Sequence, residues 1–171
     1  EGADMVSDRV RATSLQDCTF YRHSTNVGVT WQFKTAFELF EEYDALVVFE
    51  DDMILSKHYL ELLRLAADQF PSTLISLCHS NWHHRLPAAP LNALVRGRAQ
   101  LWGYWFPREQ FEATRERFDE WVDYVGKDHL RRPKQFLMDH FQLSNAAVDN
   151  FIGKFLWFQG HPRLQAVFPR G

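Results

Sequence analysis

Ala45-Leu46-Val47-Val48-Phe49, followed at once by Glu50-Asp51-Asp52, is the stretch on which the reading of this chain turns. A run of branched and aromatic apolar residues without polar alternation reads as a strand buried on both faces, as at the centre of a parallel α/β sheet. Ligands of open α/β sheets bind outside the carboxyl ends of the strands, which puts the acids where a polar substrate or a cation would sit. Adjacent carboxylates repel one another unless a cation or a set of donors offsets their charge, and hard oxygen ligands suit a divalent ion. The competing reading makes the acids the start of a helix, whose N-terminus favours negative charge. Spacing argues against it. Met53-Ile54-Leu55 intervenes before a helix that the apolar pattern starts near Ser56, carries through Tyr59, Leu63, Ala66 and Ala67, and stops at Pro71.

Working outward, the apolar positions Trp31, Phe33, Ala36, Phe37, Leu39 and Phe40 predict a helix over 30–40, packed on the sheet. Thr73 to Cys78 reads as a second buried strand, so strand, helix and strand form a βαβ unit whose right-handed crossover places both strands in one parallel sheet. His79 to Leu94 carries Pro87 and Pro90, lacks periodicity and reads as a long functional loop. Leu101 to Phe106 reads as a further strand, Arg108 to Tyr124 as one amphipathic helix capped by Gly126, and Ala146 to Phe158 as a late helix. Cys18 to Tyr21 reads as a short strand, and His23 to Gly28 as a turn.

With 171 residues, 46% of them hydrophobic, the chain has enough apolar material for one sizeable core, so a single domain over 1–171 is expected. The net charge of −3 comes from interspersed signs, without the basic stripe that tracks a phosphate backbone, so nucleic acid is not an expected partner. Cys18 and Cys78 form neither a ligand pair nor a disulfide framework. No apolar run approaches the roughly 20 residues of a membrane span, and no secretory pattern opens the chain, which leads to the expectation of a soluble cytoplasmic domain. Glu1 at the start and Phe168-Pro169-Arg170-Gly171 at the end lead to the expectation of a fragment.

Taken together, the strand closing in Glu50-Asp51-Asp52, the helices on either side of it, Ile75-Ser76-Leu77 with Ser80-Asn81-Trp82, Trp102-Gly103-Tyr104-Trp105, and Val148-Asp149-Asn150-Phe151 with Pro169 resemble the GT-A fold glycosyltransferases. The similarity is greatest to the N-acetylglucosaminyltransferases of N-glycan branching and to related bacterial sugar transferases, and it spans about residues 23–171. The resemblance implies an α/β three-layer sandwich on a mostly parallel sheet, truncated at its N-terminus. It also implies inverting transfer of a sugar from a nucleotide-sugar donor to a glycan or other hydroxyl acceptor, dependent on Mn²⁺ or Mg²⁺.

On that resemblance Asp52 ligates the cation at a DXD-like motif, while Asp51 and Glu50 hold the ribose or order the surroundings of the ion. For Glu50 a purely structural tie to nearby backbone N–H groups stays an equal alternative. Inverting transfer also needs a carboxylate to take the acceptor's proton. Asp149 matches the late acidic position, but Asn150 stands where the family often has a second acid; Asp139, beside His140, is the other candidate. Trp82 and Trp102 are expected to stack on a sugar or base face. Asn26-Val27-Gly28 is expected to bring backbone groups toward the nucleotide, with Lys34 reaching to phosphate. His79, His83 and His84 surround Trp82, and their spacing matches no standard zinc pattern. Two other classes stay open: a metal-dependent phosphohydrolase using the same acids, and a non-catalytic carbohydrate-binding domain in which only the tryptophans matter.

Overall fold

A computed structural model of the chain describes residues 19, 21, 23–50, 53–77, 93–96, 103–126, 134–143, 147–158, 160–161 and 163–167. The elements are α1 (Gly28–Glu38), a 3-10 turn (Leu39–Glu41), β1 (Ala45–Val48), α2 (Tyr59–Gln69), β2 (Leu74–Ser76), β3 (Ala93–Arg96) and β4 (Tyr104–Pro107). They continue with α3 (Arg108–Glu112), α4 (Arg115–Val125), α5 (Lys134–Phe141), α6 (Val148–Phe158) and β5 (Arg163–Val167). The strand expected at Cys18 to Tyr21 falls largely outside the described residues, as does most of the loop from His79 onward.

The strands form one sheet in the order β1-β4-β2-β5-β3. β4 runs antiparallel to both β1 and β2, β3 runs antiparallel to β5, and only β2 and β5 pair in parallel. The GT-A sandwich on a mostly parallel sheet is therefore overturned. β1 and β2 do run the same way, but β4 lies between them and hydrogen-bonds to each. β1 is also the outermost strand of the described sheet rather than a central one, and its Val47 is 40% exposed. An uninterrupted apolar run was read as burial on both faces; here Leu46 and Val48 pack on the core while Val47 faces outward.

Side-chain alternation along the sheet separates two cores. Leu74, Tyr104 and Phe106 point into a large cluster built by α1, α4, α5 and α6. Ile75, Trp105 and Leu164 point the other way, onto Leu63, Ala66 and Ala67 of α2. The first cluster is dominated by phenylalanine. Phe37 of α1 has five aromatic rings, those of Phe33, Phe40, Phe106, Phe111 and Phe118, with centroids between 5.2 and 5.9 Å away. Tilted and edge-on pairs of this kind add to the apolar area they bury, because the ring edge of one meets the face of the next.

The helix expected over Arg108 to Tyr124 is divided into α3 and α4. Its interruption has a local cause: the Thr114 hydroxyl donates to the Phe111 carbonyl at 2.9 Å, offering the backbone a partner that competes with the helical ladder. Gln110, within α3, points inward. Its fully buried amide donates to the Ser72 carbonyl at 2.8 Å and accepts from the Leu74 N–H at 3.2 Å, so a side chain completes the hydrogen bonding at the entry to β2. Gly126, at φ +56°, ends α4 as the sequence predicts. β5 was not foreseen, and β3 lies partly within the stretch read as loop.

Truncating Phe37 to alanine is expected to cost about 3–5 kcal/mol of stability, the range for a large buried aromatic. Chemical denaturation of Phe37→Ala measures it, and a loss below about 1 kcal/mol would show that the cluster repacks around the void.

Candidate functional site

Strand directions gather several of the sequence features at one edge. Val48 and Ser76 both pair with Tyr104, so the carboxyl ends of β1 and β2 lie level with the amino end of β4, and β5 passes this level at Gln165. From this edge β1 runs into Glu50, and β4 is entered from Gly103. Trp82 and Trp102, like His79, His83 and His84, themselves lie outside the described residues.

A cleft of about 430 Å³ opens beside the end of β1, between that strand and α1. Val29, Gln32, Phe33 and Ala36 line one wall, and Val48, Phe49 and Glu50 the other. The spacing of the first four residues places them on one face of α1. The neighbouring face carries Thr30, Lys34 and Phe37, with Phe37 and Lys34 meeting α4 and the Phe33 ring also meeting Phe37. Among the described residues the lining is mainly apolar, with Gln32 and Glu50 as its polar members.

Glu50 is half-buried. The Met53 N–H donates to the Glu50 carbonyl at 3.3 Å, which draws together the residues on either side of Asp51-Asp52. Asp51 and Asp52 lie outside the described residues. Among the described residues no group of three or more His, Cys, Asp or Glu side chains is placed to hold a metal ion. The structure thus brings Glu50 to the cleft. A cation there would depend on the two aspartates that follow it, whose hard oxygen donors are of the type Mg²⁺ and Mn²⁺ take.

Other expected site residues have different neighbours. Asn26 accepts the Gly28 N–H on its Oδ1 at 2.9 Å, and Gly28 adopts φ +78°, so this turn starts α1 by an Asx-type bond rather than leaving its groups open to a ligand. Lys34 does not reach toward a phosphate: its Nζ pairs with Asp119 at 3.0 Å and lies 5.3 Å from the Trp31 ring centroid. Asp139 is exposed on α5, accepts from Gln135 at 2.8 Å, and is not among the cleft residues. Asp149 is the second residue of α6, and its side chain lies outside the described residues. Of the aromatic strand, Tyr104 is buried in the large core, while Trp105 packs toward α2 and donates to the Pro71 carbonyl at 3.2 Å.

Sequence reasoning missed Val29, Gln32 and Phe49 as wall residues and assigned Phe33 and Ala36 to sheet packing. The i, i+3, i+4 and i+7 spacing of 29, 32, 33 and 36 was the available signal, since a helix with apolar residues on two faces has more apolar surface than one core contact uses. No described helix is long and apolar enough to cross a membrane. Comparison with family models, curated proteins and solved structures finds no match to this chain.

Among the described residues, one carboxylate away from the cleft is perturbed. Glu120 of α4 faces His140 of α5 at 2.5 Å and also pairs with Arg117. The hydrogen bond from His140 is the main cause that holds the Glu120 carboxyl below its usual range; Arg117 adds to it and burial opposes it. A depressed carboxylate contributes stability above its unfolded pKa, and that contribution is lost as pH falls through the folded value. Glu120→Gln is therefore expected to lower the melting temperature at pH 7, by the equivalent of under about 1 kcal/mol for so exposed a pair. The difference should close as the pH is taken below about 4. Melting curves of both proteins against pH test this; a gap that persists in acid would show that the carboxylate charge is not its source.

Proposed function

We propose that the protein is a divalent-cation-dependent glycosyltransferase that binds a nucleotide-sugar at the cleft beside β1 and passes the sugar, with inversion, to a hydroxyl acceptor. The observation that carries this reading is the position of Glu50: it stands at the wall of an apolar cleft, at the carboxyl end of β1, and leads directly into Asp51-Asp52. The reading does not depend on a parallel sheet. It needs an apolar surface for a ring, hard oxygen donors for a cation, and an acceptor surface near the edge at which β1 and β2 end and β4 begins.

In this proposal Phe33 and Phe49 offer their apolar faces to the nucleotide, and Gln32 supplies an amide that both donates and accepts. Asp52, assisted by Asp51, holds Mn²⁺ or Mg²⁺, with Glu50 orienting the turn or the ribose. The bound ion supplies a Lewis acid for the charge that grows on the diphosphate leaving group. The acceptor hydroxyl attacks the anomeric carbon from the face opposite the diphosphate. One carbon–oxygen bond forms as the other breaks, nucleoside diphosphate departs, and the hydroxyl proton passes to a carboxylate. Asp149 is the carboxylate assigned to that proton. The exposed place of Asp139, already engaged by Gln135, supports leaving it outside the chemistry. The two cysteines, Cys18 and Cys78, in unrelated contexts, suit a reducing cytoplasmic setting.

Asp52→Ala is expected to abolish Mn²⁺-dependent binding of a nucleoside diphosphate, and Asp51→Ala to weaken it less. Calorimetry decides this, and undiminished affinity in Asp52→Ala would remove that residue from the cation site.

Asp149→Asn is expected to retain nucleotide-sugar affinity and to lose about 10²- to 10⁴-fold in transfer, while Asp139→Asn stays near wild type. Assays with labelled nucleotide-sugar follow both. Nucleoside diphosphate as product supports glycosyl transfer, whereas sugar phosphate would show cleavage at phosphorus and replace the proposal with a phosphohydrolase.

A further inference from the structure

β1, the outermost strand of the described sheet, has β4 on one side and no described strand on the other. The Arg108 N–H donates to the Asp44 carbonyl at 2.8 Å, and Pro107, opposite Ala45, has no N–H to give. Bonded and non-bonded residue pairs alternate along an antiparallel ladder, so Leu46 and Val48 direct their backbone groups to β4. The N–H and C=O groups of Ala45 and Val47 therefore point to the open side. Such an edge is a template for another strand, and proteins usually blunt it with a charged residue, a proline or a bulge. Ala45 to Phe49 contains neither charge nor proline, Ala45 to Val48 pair with β4 in unbroken register, and Val47 is exposed.

Charge lies instead at the two ends of the strand. Glu41, Glu42 and Asp44 precede β1 and are exposed; Glu50, Asp51 and Asp52 follow it, and residues 38–52 contain no Lys, Arg or His. Asp51 and Asp52 lie outside the described residues and count here as sequence charge alone. From elsewhere in the chain, Arg108 pairs with Asp44 at 3.3 Å, and Arg115, shared with Glu112, pairs with Glu41 at 3.6 Å. Among the described residues a surplus of negative charge thus brackets an uncharged strand. A second copy of the chain suits this edge poorly, because antiparallel pairing of two β1 strands brings the Asp44 end of one to the Glu50 end of the other, acid against acid.

We propose that the open edge of β1 takes an extended segment of a partner protein, apolar in its middle and flanked by lysine or arginine, which adds to the sheet as a strand beyond Ala45 and Val47. Main-chain hydrogen bonds supply the attachment, and the exposed Val47 side chain supplies a cross-strand apolar contact. The acidic ends select a basic partner. This role goes beyond the nucleotide-sugar reading and does not depend on it.

The probe is a synthetic peptide of alternating valine and threonine with two lysines at each end, added to the isotope-labelled full chain. Amide resonances of Ala45, Val47 and Phe49 are expected to shift saturably. Binding should weaken about tenfold or more when glutamates replace the lysines, and also when salt is raised from about 0.05 to about 0.5 M. Val47→Pro removes an outward N–H that β4 does not use, so it should keep the melting temperature within a few degrees and weaken the peptide at least about tenfold. Where that variant fails to fold, peptides N-methylated at alternate residues ask the same of the partner: methylating one alternate set should abolish binding and methylating the other should preserve it. Equal binding of the lysine- and glutamate-flanked peptides, shifts centred away from β1, or no shift at millimolar peptide overturns the proposal. So does a shift at Ala45 and Val47 on concentrating the protein alone, which would make a second copy the occupant.

Discussion

β4 is paired on both sides, to β1 through Tyr104 to Pro107 and to β2 through Tyr104 and Trp105, and both pairings are antiparallel. The rest of the molecule is arranged around that insertion. Tyr104 and Phe106 enter the phenylalanine-rich core on one face of the sheet, and Trp105 enters the α2 cluster on the other. Gly103, one residue before the strand, receives the Tyr59 hydroxyl and leaves no space for a side chain against Met53. One short strand thereby ties together two cores, the central pairings of the sheet and the turn beyond β1.

The same arrangement explains how a cleft and a charged turn coexist at one edge. α1 is held to α4 by Phe37 and Lys34, and Phe33, which packs on the large core against Phe37, also lines the cleft with Val29 and Gln32 opposite Phe49 and Glu50. Glu50, at the end of β1, is then half-buried beside the apolar residues of that wall. The exposed ion pairs of α4 and α5, Glu120 with His140 and Arg117 among them, lie on other surfaces and bear on stability rather than on the cleft.

Much of the local structure was legible because it rests on short-range periodicity. Trp31, Phe33 and Phe37 mark α1, Leu63, Ala66 and Ala67 mark α2, and the apolar runs at 45–49 and 73–78 mark β1 and β2. Pairing was not legible, since nothing in the run Ala45 to Phe49 distinguishes a central parallel strand from an outer strand with one antiparallel partner. That distinction is made by Tyr104 to Pro107, far along the chain, which pair Val48 with Tyr104 and Ala45 with Pro107 only in three dimensions. The division of α3 from α4 was hidden for a related reason: Thr114 suits either a helix interior or a break, and its hydroxyl bond to Phe111 chooses the break. Glu50 was singled out from the strand end, and the structure sets it beside a cleft; the α1 wall was overlooked because Phe33, which does pack on the core, also lines that cleft. Lys34 was misread because its partner, Asp119, is distant in sequence.

The central claim is that the edge at the end of β1 is where a divalent cation and its ligand bind. Paramagnetic broadening of amide resonances by substoichiometric Mn²⁺ in the isotope-labelled protein tests it most directly, because the effect falls steeply with distance from the ion. The account predicts broadening centred on Phe49, Glu50 and Met53, extending to Gly103 and to Val29 and Phe33 across the cleft. Broadening centred instead on the exposed acids of α4 and α5, such as Asp119, Glu120 and Asp139, with the β1 edge unaffected, would contradict it.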